Sequence, residues 1–471
     1  MVLQVEREAA VPTRRRRLLI LGICCLSLLM VGLDNTIVNI AAPAIGREFD
    51  APLSGLQWAI DAYTLVIASL LLMAGSTADR IGRRRTFVTG LVVFTVASLL
   101  CGLAPSLGWL IAFRVLQAIG GSMLNPVAMG IITNVFTDPR ERARAIGVWA
   151  GVVGLSMALG PVLGGLLVQT AGWRTIFWIN VPVGVAAVVL TLLFVPESRA
   201  PKPRRVDIPG QIIVLILLAS STYAIIEGAY LTVGSVAVAA LIALLIVEPR
   251  RPEPLVDLRL FRSPPFAGAT SIAVLAFGSL AGFLLLNTIY LQDVRGFSPL
   301  RAGVLMLPVA AITVVLGPLS GRLVGARGPR LPLLIGGAGI LVSGILLALL
   351  GPHTPVLWLL VAYGAFGIGF AMVNPPITVT AVAGLPRAQA GVAAAFASTS
   401  RQFGSMLGIA VLGAVVTAGL HGGSVRDGFH TASRPAWWVV IGCGALVLII
   451  ATLTTGRWAT QRQPEPEPSD A

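Results

Sequence analysis

The sequence predicts an all-α integral membrane protein, built as two pseudo-symmetric six-helix bundles with an inserted helical pair between them, about 14 transmembrane helices in all. Three observations carry that expectation. The 471 residues are 56% hydrophobic and only 11% charged, with a mean hydropathy of +0.88, which leaves too little polar surface to face water. Apolar runs long enough to cross about 30 Å of hydrocarbon recur from Leu18 to Thr455, between short loops rich in Arg, Pro and Gly. The chain also repeats itself. A shift of 249 residues lays Trp109, Leu110, Ile119, Gly120, Met123, Asn125 and Pro126 on Trp358, Leu359, Ile368, Gly369, Met372, Asn374 and Pro375. The same register carries Ser156, Met157, Val162, Leu163 and Gly164 onto Ser405, Met406, Val411, Leu412 and Gly413.

Each run must be helical, because hydrocarbon offers no partner for unpaired backbone groups. A basic amino terminus (1–17) precedes a first bundle (18–196) with spans near 18–41, 54–76, 86–104, 107–132, 142–168 and 174–195. A linker (197–262) holds two extra spans, near 208–228 and 232–248, without partners in the repeat. The second bundle (263–456) has spans near 266–291, 301–325, 330–351, 356–381, 390–418 and 436–456, and residues 457–471 form a tail. A signal peptide is the competing reading of the first span, since Arg14 to Arg17 precede it and small residues follow at Ala41 to Ala44. Its apolar run continues through Asp34 and Asn39, and many spans follow, which argues against cleavage.

Most of the 34 Lys and Arg share one side of the membrane with the amino terminus, among them Arg14 to Arg17, Arg80 to Arg85, Arg140 to Arg144, Arg250 to Arg262, Arg387 and Arg401. Basic loops mark the cytoplasmic face, so both termini are expected inside, in a bacterial inner membrane. The same rule explains the net charge of +14, and its scatter among loops argues against nucleic-acid binding. Cys24, Cys25, Cys101 and Cys443 lie inside spans and suggest neither disulfides nor a metal cluster. The sequence carries no hydrolase motif, phosphate-binding glycine loop or metal constellation, so neither catalysis, ATP-driven transport nor a cofactor is expected. An ion gradient remains as the energy source, protons fitting the charged residues better than sodium. A small-molecule substrate and a monomer are expected.

Only three acidic side chains sit clearly inside the spans, Asp34, Asp61 and Glu227, and the one basic group well inside is Arg114. Such groups cost several kcal/mol in hydrocarbon and usually mark a functional cavity. At about 1.5 Å per residue, Asp34 lies about 24 Å along its helix, while Asp61 and Arg114 lie roughly 10 Å below the outer starts of theirs. All three reach one level in the outer half, which predicts an Asp34 and Arg114 pair with Asp61 close by. A carboxylate beside an arginine can load or release a proton on a small rearrangement, as a coupled exchanger requires. A fixed ion pair that only orients helices is the competing reading. Asp61 is compatible with a cation site, a second proton site or wet polar lining.

Offsets of three or four place Arg114, Gln117, Gly121 and Asn125 on one helical face, and likewise Gln57, Asp61 and Thr64, and Asn35 and Asn39. These stripes are candidate cavity lining, with interhelical hydrogen bonds as the alternative. The repeat adds Asn374, opposite Asn125, and Tyr363, where Arg114 stands in the first half. Coupling is therefore expected in the first half and much of the selectivity in the second. Glu227 lies near a helix end and is assigned no role. Gly147, Gly151, Gly154, Ala158, Gly160, Pro161, Gly164 and Gly165 leave one side of the fifth span nearly bare backbone, suited to sliding or simply to close packing.

At these residues the chain resembles the fourteen-helix drug:proton antiporter branch of the major facilitator superfamily over nearly its whole length. Leu33 to Pro43, reading LDNTIVNIAAP, looks like that branch's signature, with Ala42 where leucine is usual. Gly75 to Arg85, with Asp79, Arg80, Gly82, Arg83 and Arg84, looks like the superfamily loop motif, which implies an inner gate closed by charge pairing. Arg114 with Gln117, Gly120 and Gly121 resembles the motif assigned to proton transfer, and Gly160 to Gly165 resembles the antiporter motif. The resemblance implies export of drugs or toxic cations against protons, with Asp34 and Arg114 as coupling groups; export of one endogenous metabolite or self-made antibiotic is the alternative. The second half has no strong acidic cluster, a departure that weighs against multivalent cations.

Overall fold

The computed structural model describes residues 13–200, 207–251, 255, 258–383, 387–420 and 425–455. The expected amino-terminal segment up to residue 12, the basic linker stretch 201–206 and the tail lie outside the described residues. Among the described residues, 14 helices are long and apolar enough to cross a membrane, one for each expected span, and no strand occurs.

The first half comprises α1 (Arg14–Phe49), α2 (Leu53–Ile81), α3 (Arg83–Gly102), α4 (Leu107–Val135) and α5 (Pro139–Ala171), then a sixth span broken into α6 (Thr175–Trp178) and α7 (Asn180–Phe194). The inserted pair is α8 (Ile208–Ile226) and α9 (Val233–Val247). The second half comprises α10 (Pro264–Ile289), prolonged by a π turn to Val294, then α11 (Pro299–Arg327), α12 (Arg330–Ala348), α13 (Val356–Val382), α14 (Arg387–Leu420) and α15 (Val425–Thr454).

Local chemistry sets several ends beyond the apolar runs. The α1 helix starts before its first leucine because the Thr13 hydroxyl accepts from the Arg16 amide at 3.4 Å, and it stops where Asp50 turns left-handed at φ 48°. Asp138 caps α5 by accepting from the Arg140 and Glu141 amides at 3.0 and 2.9 Å, with Pro139 in the first turn. Arg401, counted with the cytoplasmic basic residues, lies within the expected span 390–418 and within the apolar helix segment Ala395–Leu420. Counting basic residues by loop cannot see a cation that its own helix carries into the membrane.

Helix pairing repeats between the halves. In the first, α1 packs on α5, α2 on α4, and α3 on α4 and α7; in the second, α10 packs on α14, α11 on α13, and α12 on α13 and α15. This is the duplication in three dimensions. Two seams join the halves, α5 against α11 and α2 against α14, and α8 lies over the second, touching both of its helices. The outermost helix, α9, buries only Ala240 and Leu244 and turns Val238, Leu241, Ile242, Leu245 and Ile246 outward, as a lipid-facing helix does.

Candidate functional site

Asp34 of α1 and Arg114 of α4 form a salt bridge with side-chain exposures of 0% and 1%. The pair is held on every side. Asp34 Oδ1 accepts from Gln117 Nε2 at 2.8 Å and from Asn180 Nδ2 at 3.1 Å. Arg114 Nη1 also donates to Gln117 Oε1 at 2.6 Å, its Nε reaches the Ala59 carbonyl at 3.3 Å, and its guanidinium carbon stands 4.0 Å from the Tyr63 ring centroid. Gln117 Nε2 also donates to Ser98 Oγ at 2.8 Å. A buried charge pair is tolerated when its remaining lone pairs and protons find partners, which this cluster supplies. Five helices contribute to it, so a change in charge at Asp34 is felt across the first half.

Asp61, expected close by, makes no hydrogen bond or ion pair to this cluster. It is fully buried, Thr64 Oγ1 donates to its Oδ1 at 3.2 Å, and its Oδ2 has no hydrogen-bond partner. The reason is azimuth: Ala59 faces Arg114, and two residues farther on a helix turns about 200°. Gln57, one turn before Asp61, points to the other half and donates to the Ile409 and Ala410 carbonyls at 3.0 and 3.1 Å. The stripe of Gln57, Asp61 and Thr64 therefore follows the seam with α14.

In the second half, Tyr363 donates to Asn287 Oδ1 at 2.8 Å, and both are fully buried. This is an uncharged counterpart of the Arg114 and Asp34 pair, on the matching helices α13 and α10. Asn180 and Asn287 were not singled out from sequence; polar residues within the sixth and ninth apolar runs were the signal available. Asn35, Asn125 and Asn374 are partly exposed, whereas Asn39 is buried and donates to the Asn35 carbonyl at 3.3 Å. Glu227 accepts from Trp58 Nε1 at 2.8 Å and ties α8 to α2.

The glycine face of α5 serves two contacts. A Cβ at Gly160 would clash with Thr36 of α1 and one at Gly164 with Ile37, while Gly165 meets the Pro299 and Leu300 backbone of α11. Toward the Phe49 end, three further links join the halves: Arg47 to Asp293 at 3.1 Å, Gln292 Nε2 to the Ile40 carbonyl at 2.9 Å, and Gly303 against Pro161. Toward the Arg14 end the same helices part: a Cβ on Gly147 or Gly151 of α5, or on Gly317, Gly321 or Gly325 of α11, would meet no atom within 4 Å. Along α5 and α11 the halves touch toward the Phe49 end, and the glycines toward the Arg14 end face open space.

In the loop after α2, Asp79 Oδ1 accepts from Arg83 Nε and Nη2 at 3.1 and 2.9 Å, and Arg83 Nη1 reaches the Gly130 carbonyl at 3.2 Å. Gly82, at φ 127°, lets the chain turn against Glu197, which accepts from the Arg84 amide at 3.0 Å. Arg80 is exposed. All these bonds stay within the first half, as suits an end where the halves have separated.

Comparison with known proteins decides the family. The model of the Major Facilitator Superfamily matches residues 24–409. The chain belongs to the major facilitator superfamily. It is 38% identical over 414 residues to the multidrug resistance protein Stp of Mycobacterium tuberculosis, covering 86% of this chain and 77% of that one. It is 37% identical over 424 residues to the tetracenomycin C resistance and export protein of Streptomyces glaucescens, again covering 86% and 77%. A crystal structure of a bacterial homolog of the human lysosomal transporter Spinster, inward-facing and unoccupied, superposes with a TM-score of 0.66 at 18% identity, covering 96% of this chain and 98% of that one. That likeness bears on the fold, which is the major facilitator fold.

Proposed function

We propose that this major facilitator protein exports hydrophobic or cationic small molecules in exchange for protons. The observation that carries the reading is the asymmetry of the halves: one buried, fully partnered Asp34 and Arg114 cluster in the first, and a neutral Tyr363 and Asn287 pair in its place in the second. Protonation of Asp34 would remove the charge that holds Arg114, so proton binding and helix position are linked. Relatives named for multidrug resistance and for antibiotic export support the direction of transport. The basic loops support an Arg14 end in the cytoplasm of a bacterial cell with both termini inside, which makes the described conformation open inward. The protein works as a monomer, needs no cofactor, and draws on the proton gradient.

The test is substrate-triggered proton release in inside-out vesicles energised by respiration, with a panel of hydrophobic cations and neutral antibiotics. Release by several unrelated compounds, lost in Asp34→Asn, is expected. Release that survives in Asp34→Asn moves coupling to Asp61. The relative named for tetracenomycin C favours a second reading, a dedicated exporter of one self-made metabolite, which silence across the panel in folded protein would support.

A further inference from the structure

Arg401 lies in the apolar helix segment Ala395–Leu420, and its surroundings differ from those of Arg114. Its guanidinium lies between α10, α13 and α14, donating to Thr378 Oγ1, with its carbon 5.7 Å from the Phe277 ring centroid. Its Nε is enclosed and has no hydrogen-bond partner, and no carboxylate lies within salt-bridge distance of it among the described residues. Along α10 to α14, the one acid is Asp293 in the π turn at the far end, already paired with Arg47.

A guanidinium keeps its charge at any physiological pH. An unpaired charge in a span costs several kcal/mol unless it faces water or a ligand. Arg401 is partly exposed, and it lies one turn before Ser405 on α14. We propose that Arg401 anchors an acidic oxygen, carboxylate or phenolate, of an amphiphilic substrate. The proposal rests on the transport reading and adds an acid-bearing class to its substrates. The planar fork of donors fits two oxygens at once. Asn374, one turn from Thr378 on the same face of α13, supplies a further polar contact, and the Phe277 ring supplies an apolar surface beside it. The rival is a plain tie between α13 and α14 through the Thr378 bond.

Binding separates the two. Protein in nanodiscs would be titrated with three fluorescent amphiphiles of matched size: a dansyl carboxylate, its methyl ester and its amine analogue. The parent should bind the carboxylate about tenfold tighter than the ester, as a charge-assisted bidentate contact provides. Arg401→Gln and Arg401→Met, two neutral replacements, should abolish that preference and leave ester binding unchanged, and Thr378→Val should keep the preference. A parent without preference overturns the proposal, as does an equal loss of all three probes in the Arg401 variants or in Thr378→Val. Proton release triggered by the ester in vesicles tests the transport reading separately. Carboxylate preference without proton release would remove coupling and keep the site; proton release without preference would do the reverse.

Discussion

Asp34 and Arg114 are worth more as a pair than their separate removal suggests. Deleting one partner leaves the other charged, buried and uncompensated, which typically costs about 3–5 kcal/mol, whereas removing both leaves two neutral groups that Gln117 and Asn180 can still bond. Asp34→Asn and Arg114→Gln should therefore each lower the melting temperature in detergent, and the double variant should recover part of the loss. Intrinsic fluorescence melting reads this directly; a double variant as unstable as the summed losses would show that the two act independently. The neutral counterpart makes a smaller prediction. Tyr363→Phe removes one bond to Asn287, about 1 kcal/mol, and should leave substrate-triggered proton release unchanged, because no charge is lost.

At the scale of helices, the glycines of α5 divide into those that touch and those that do not. Gly164→Leu would force α5 away from Ile37 of α1, while Gly147→Ala would add a methyl group where no atom lies within 4 Å. Gly164→Leu should abolish transport in protein that still inserts, and Gly147→Ala should transport at the parent's rate; uptake in vesicles normalised to protein by immunoblot measures both. Depth along a helix was legible in the sequence, which is why the Asp34 and Arg114 pair could be inferred from residue counts alone. Azimuth was not. Asp61 reaches the expected level but turns along the seam, and Gln57 binds the carbonyls of α14. Asn180 escaped notice because it has no polar neighbour three or four residues away in the sixth apolar run to mark a stripe. Arg401 was hidden because it was counted with the cytoplasmic basic residues although the expected span 390–418 contains it.

For the whole molecule, the repeat predicted two equivalent bundles, and the helix pairings bear this out. What the repeat could not supply is their relative tilt, because tilt is set by contacts between halves that differ from one conformation to the next. Here those contacts gather at the Phe49 end: Arg47 with Asp293, Gln292 with Ile40, and the α5 glycines with the start of α11. If transport requires the halves to rock, this end must open in every cycle. The exposed ion pair contributes little by itself, about 0–1 kcal/mol, so it marks the closed end without holding it shut. A covalent link there should act differently. In a background with Cys24, Cys25, Cys101 and Cys443 replaced, Arg47→Cys with Asp293→Cys should be bridged by a short, reducible bis-methanethiosulfonate reagent. Bridging should stop vesicle transport, and reductant should restore it. The bridged protein should still bind ligand from the Arg14 end, since Gly147, Gly151 and Gly321 line helices that stay apart there. Transport that continues with the bridge intact would mean that the Phe49 end need not open, and that substrate leaves by a route other than the space between the halves.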